Sequence, residues 1–166
     1  MRSDSVLGRS YGLRGHTPVV RTSGQRQAIN AISAVNAKGA FWYKMYHAKL
    51  NASLFTHFLR DFMKRRRKPV FLVLDSLPAH KAKAVEKCVA LFKGQLELHF
   101  LPTYAPDTNP DEFVWSHLKQ NGTSKTPLRK NESLQGRVGA DLAAIQSDPP
   151  LVRSFFLADS VSYASY

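Results

Sequence analysis

Cysteine occurs once in the 166 residues, at Cys88, so the chain offers neither a disulfide framework nor a thiolate metal cluster. Acidic residues are scarce as well: 12 Asp and Glu stand against 24 Lys and Arg, which leaves a formal charge of +12 and a pI near 10.1. An excess of that size points to a polyanionic partner. Nucleic acid fits better than anionic membrane, because no basic amphipathic helix of the membrane-surface type stands out. No apolar run approaches the roughly 20 residues that cross a bilayer, and Met1-Arg2-Ser3-Asp4 lacks the apolar core of a signal peptide. These absences predict an intracellular, cytoplasmic protein with no membrane partner. Familiar hydrolase signatures are missing too. There is no G-x-S-x-G and no H-E-x-x-H, and the six histidines (His16, His47, His57, His80, His99, His117) are scattered without cysteine partners. No repeat, low-complexity tract or linker divides the chain, so residues 1–166 read as one domain. A composition of 43% hydrophobic and 22% charged residues gives that domain an ordinary core.

What is present is organised around Val70 to Glu112. The apolar run Val70-Phe71-Leu72-Val73-Leu74 stops on Asp75, as a strand buried on both faces does when it delivers a carboxylate at its carboxyl end. Open α/β sheets place their chemistry there. A basic amphipathic helix is predicted from about Lys81 to Phe92, with Cys88 buried on it and Gly94 as its stop. Leu96 to Leu101 forms the next strand, and strand-helix-strand predicts a parallel pair. Asn109 then caps a helix with Pro110 at its first position and Asp111 and Glu112 in its first turn. Acidic residues favour that end of the helix dipole without any catalytic role. Glu112 also brings a second carboxylate near the sheet edge where Asp75 lies.

The flanks are simpler. Met1 to Gly24 is a Gly, Arg and Ser-rich lead that reads as loop. Gln27 to Val35 and Ala40 to Tyr46 flank Asn36-Ala37-Lys38-Gly39, an antiparallel hairpin with a turn tolerant of positive φ. Asn51 caps a helix with Leu54, Phe55, Phe58, Leu59, Phe62 and Met63 on one face. It ends in Lys64-Arg65-Arg66-Arg67-Lys68, where cations suit the dipole and Arg65, Arg66 and Arg67 are also candidate phosphate contacts. His80, on the loop after Asp75, is a candidate for the site or for DNA, or a loop histidine satisfied by backbone. A further helix follows Asn131, Leu151 to Leu157 adds a short docked piece, and Ser160 to Tyr166 is small and polar enough to fray. Oxygen-donor carboxylates beside a basic surface suit Mg²⁺ or Mn²⁺ and phosphodiester cleavage, which normally needs a third acidic ligand.

Two stretches carry a family resemblance: L-V-L-D-S-L-P-A-H at Leu72 to His80, and H-F-L-P-T-Y-A-P-D-T-N-P-D-E-F-V-W-S-H-L-K at His99 to Lys119. Together with R-G-x-x-P at Arg14 to Pro18, they resemble the DDE transposases of the IS630 group, related to the Tc1/mariner elements. The resemblance implies a ribonuclease H-like α/β fold, with a mixed sheet of an antiparallel hairpin plus parallel strands, flanked by helices. It implies an enzyme that cuts and rejoins DNA with two divalent ions, Mg²⁺ or Mn²⁺, held by three acidic residues. By motif position Asp75 matches the second acid and Glu112 the third, 37 positions on. Ser76 stands where Asn is common. The first acid of such relatives lies in a D-E-x-G strand upstream of the segment matching Met1 to Asp4, so the chain is expected to be a partial catalytic domain. Transposon ends and target DNA are the implied partners, and a homodimer is left open. The alternative is an inactive transposase remnant that at most binds nucleic acid; a ribonuclease H acting on RNA–DNA hybrids fits the second motif less well.

Overall fold

Asn36 makes the first turn: its side-chain oxygen accepts from the Lys38 and Ala40 amides at 3.1 and 2.9 Å, and Gly39 takes φ +89°. Only glycine adopts that backbone without cost, and a Cβ there would also lie 2.8 Å from the Pro149 carbonyl. The turn joins β1 (Asn30–Val35) to β2 (Phe41–Tyr46) antiparallel, with Val35 opposite Phe41 and Asn30 opposite Tyr46. The computed structural model describes residues 14, 27–64, 66–102, 105–122, 128 and 131–165. Most of the lead, Arg65, and Thr103 and Tyr104 of the second motif lie outside the described residues.

Strand alternation sends the two faces of the hairpin into different cores. Ile32, Ala34 and Trp42 pack toward α1 (Ala52–Met63), whereas Ala31, Val35, Phe41, Tyr43 and Met45 pack toward helices that come later. Asn51 caps α1 as expected, accepting from the Leu54 amide at 2.9 Å. Its buried face is Phe55, Phe58, Leu59, Phe62 and Met63. Each such side chain contributes about 1.5–3 kcal/mol by leaving water.

The chain then forms β3 (Val70–Leu74), α2 (Lys83–Ala90) and β4 (Leu96–Phe100), the expected parallel unit, with Val70 opposite Leu96 and Leu74 opposite Phe100. Gly94, at φ +81°, turns the chain back after α2. Leu72, Leu74, Leu96 and Leu98 meet α1 and Val85 of α2, and Cys88 is buried as expected. The expectation that β3 is covered on both faces does not hold: Phe71 is 65% and Val73 40% exposed. The reason lies in the last helices. α3 (Pro110–Asn121), α4 (Leu134–Gln146) and α5 (Pro149–Ser154) gather on the hairpin, where Val114, Leu118, Val138, Leu142 and Val152 close the other core.

The mixed sheet is therefore present in two halves. Hairpin and parallel pair are each two-stranded, and no described strand pairs across from β1 to β3. The chain's end differs from expectation as well. Asp159–Ala164 forms a short 3-10 turn that buries Val161, Tyr163 donates its hydroxyl to the Thr108 carbonyl at 2.8 Å, and Ser165 donates to that of Phe156 at 3.0 Å. Val161, Ala164 and two hydroxyls dock a segment whose composition reads as loose.

Candidate active site

β3 ends where its ladder does. The Leu101 amide still donates to the Leu74 carbonyl at 2.8 Å, and one residue further Ser76 donates its hydroxyl to the Leu101 carbonyl at 3.0 Å. This staple holds the two strand exits together and leaves Asp75 partly exposed at the carboxyl edge. His80 is brought back onto it by a turn in which its amide donates to the Leu77 carbonyl at 2.9 Å. The His80 Nδ1 lies 2.8 Å from Asp75 Oδ1, and its ring packs 4.2 Å from that of Phe55. The ring is buried, 8% exposed, so it serves as the neighbour of Asp75 and not as part of the outer surface.

The second carboxylate comes from the start of α3. Asn109 caps that helix, accepting from the Asp111 amide at 3.1 Å, with Pro110 at the first position. Glu112 is exposed and lines a cleft of about 250 Å³ with Asn30, Ala31, Trp115 and Lys119. Asp111, beside it, is held firmly. Ser33 of β1 donates its hydroxyl to both Asp111 oxygens, at 2.8 and 2.7 Å, and Trp115 donates Nε1 at 2.9 Å.

Burial pushes the Asp111 carboxyl up to about 6; the bonds from Ser33 and Trp115 oppose that rise, while the charges of Glu112 and Asp75 add to it. Sequence reasoning assigned Asp111 only to the helix dipole. Its bond to Ser33 spans 78 positions and left no signal in the local pattern.

The basic run divides. Arg66 lays its guanidinium over Trp42 and Phe62, 4.1 and 3.7 Å from the ring centroids, and donates to the Phe62 carbonyl. Burial there lowers its pKa, and the contact closes the end of α1. Arg67 is exposed, and Arg65 lies outside the described residues.

Oxygen donors of this kind suit Mg²⁺ or Mn²⁺. Among the described residues, however, no group of three or more His, Cys, Asp or Glu side chains is placed to hold a metal ion. Asp75 and Glu112 carry oxygen donors of the kind that suits such an ion.

An acidic strand end on a mixed sheet, an antiparallel hairpin plus a parallel pair flanked by helices, defines a ribonuclease H-like architecture. Solved structures share it. The catalytic domain of Mos1 mariner transposase superposes with a TM-score of 0.54 at 15% identity, covering 82% of this chain and 81% of that one. The Mos1 strand transfer complex gives a TM-score of 0.57 at 17% identity, covering 96% of this chain and 50% of that one. At such identities the likeness establishes the fold. The family follows from sequence: residues 1–135 match the DDE superfamily endonucleases, and the chain belongs to that family. A comparison with curated proteins finds no match. No helix among the described residues is long and apolar enough to cross a membrane.

Proposed function

We propose that residues 1–166 form the catalytic domain of a DDE-type transposase of the IS630 group, which cuts and rejoins the DNA of an insertion sequence. Asp75 and Glu112 hold the divalent ions, Mg²⁺ or Mn²⁺. In such chemistry a pair of these ions activates water and stabilises the leaving oxygen. His80 fixes the orientation of the Asp75 carboxylate at the strand end. The third carboxylate comes from a strand seated between β1 and β3, in this chain or another. DNA partners are transposon ends and target, Arg65 and Arg67 meet phosphate, and the working assembly is a homodimer.

What supports this reading is the family match over residues 1–135, together with Asp75 standing directly after β3 and Glu112 in the first turn of α3. Nicking of supercoiled DNA in Mn²⁺ is the test. It is expected to fall to background in Asp75→Asn and in Glu112→Gln; nicking that survives both, or survives chelation, sinks the proposal.

A second reading draws on two features of the described residues: no strand joins the two halves of the sheet, and no group of three or more acidic, histidine or cysteine side chains is placed to hold a metal ion. In it the chain is an inactive remnant that binds nucleic acid through charge. Salt-sensitive, metal-independent DNA binding, unchanged by those two substitutions and without nicking, supports it.

A further inference from the structure

The first turn of α3 carries two adjacent acids that point different ways. Pro110, Val114 and Leu118 recur every fourth residue and form the buried stripe of the helix. Glu112 and Lys119 stand exposed on the cleft, together with Trp115. Among the described residues no hydrogen bond or ion pair holds the Glu112 carboxylate, so its place depends on the backbone that carries it.

That backbone is fixed from β1. Alternation puts Ser33 in one row with Ala31 and Val35, which pack against the last helices. Ser33 is the polar member of this row, and its hydroxyl meets both Asp111 oxygens, at 2.8 and 2.7 Å. Trp115, four positions after Asp111 and so on the same side of α3, donates to the same carboxylate at 2.9 Å. An acid that served only the helix dipole would need no partner on another element. Apolar burial is non-directional and tolerates a small rotation of the helix. A charge-assisted hydrogen bond has a set length and direction.

We propose that Asp111 is a positioning residue of the site: bound by Ser33 and Trp115, it clamps the first turn of α3 to β1 and thereby sets where the Glu112 carboxylate stands. The inference rests on the metal-binding role proposed for Glu112, yet the clamp can be measured without metal.

Amide hydrogen exchange on the whole chain in chelator reads the clamp. The Asp111 and Glu112 amides donate to Asn109, at 3.1 and 3.0 Å. In Ser33→Ala they are expected to exchange at least about fivefold faster, the equivalent of one hydrogen bond, while the amides of β3 and α2 keep the parent rate. Ser33→Thr keeps the hydroxyl and is expected to restore the parent pattern. Mn²⁺ affinity, read from the paramagnetic signal of the free ion, reports on Glu112. It is expected to fall about tenfold in Ser33→Ala, the lower end of what losing a supporting contact costs a metal site, and to return in Ser33→Thr. Val152→Ala, which also removes buried contacts from the core around α3 and α4, is expected to leave it unchanged. Parent exchange rates at the start of α3 in Ser33→Ala overturn the proposal, as does acceleration spread evenly over every element. So does an equal loss of Mn²⁺ affinity in Val152→Ala, which would trace the effect to stability alone. A parent chain that takes up no Mn²⁺ sinks the catalytic reading instead, and the exchange rates then decide on the clamp.

Discussion

Asp111 carries the sharpest residue-scale consequence. Its carboxyl titrates near 6 in the fold and at about 3.8 in an unfolded chain, so the folded state holds the proton more tightly. Stability from this group is therefore fully present below about pH 4 and is lost as pH rises through 6. The difference amounts to about 3 kcal/mol at most. Urea melts of the protein in chelator, run from pH 4 to 8, are expected to show this decline, and Asp111→Asn to flatten it. Ser33→Ala removes the hydroxyl that both carboxylate oxygens accept from. It is expected to lower stability at pH 7 by about 1–3 kcal/mol, as a buried acceptor loses its donor; equal melting midpoints for Ser33→Ala and the parent chain would count against the network.

At the scale of elements, α1 is the brace on which both halves of the sheet lean. Leu59 has no exposed surface and sits among aromatic rings that do not collapse easily. Leu59→Ala is expected to cost about 2–5 kcal/mol by chemical denaturation. Gly39→Ala should also destabilise, by about 1 kcal/mol or more, because the residue is both left-handed and pressed against Pro149; a neutral result would mean that the turn and α5 shift apart freely.

These elements were largely legible beforehand. Asn51 and Asn109 announced their helices by cap chemistry, and the βαβ unit showed in the apolar runs on either side of a basic amphipathic helix. The bare face of β3 was not legible. An unbroken apolar run says that side chains are apolar, and only the placement of α3 to α5 decides which half of the sheet they cover. The docked end was hidden for a related reason, since Val161 finds its neighbours at long range. At the site, Asp75 and Glu112 stood out by motif, whereas Asp111 acquires its character from Ser33, far away in sequence.

For the whole molecule the charge of +12 dominates. Binding to duplex DNA is expected to weaken steeply between 50 and 200 mM salt, linearly on logarithmic axes, whether or not metal is present. A slope near zero would show that the cations are spent inside the protein, as the Arg66 guanidinium is on Trp42 and Phe62.

The hairpin belongs to both cores, with Ile32 and Ala34 in one and Ala31 and Val35 in the other. It is thus a party wall between two rooms, and among the described residues no strand runs from β1 to β3 to tie the rooms together. Such a chain should not melt as a single unit. Hydrogen exchange should reveal two cooperative blocks: the amides of β3, α2 and β4 open first, and those of β1, β2 and α4 stay closed until the wall itself gives way.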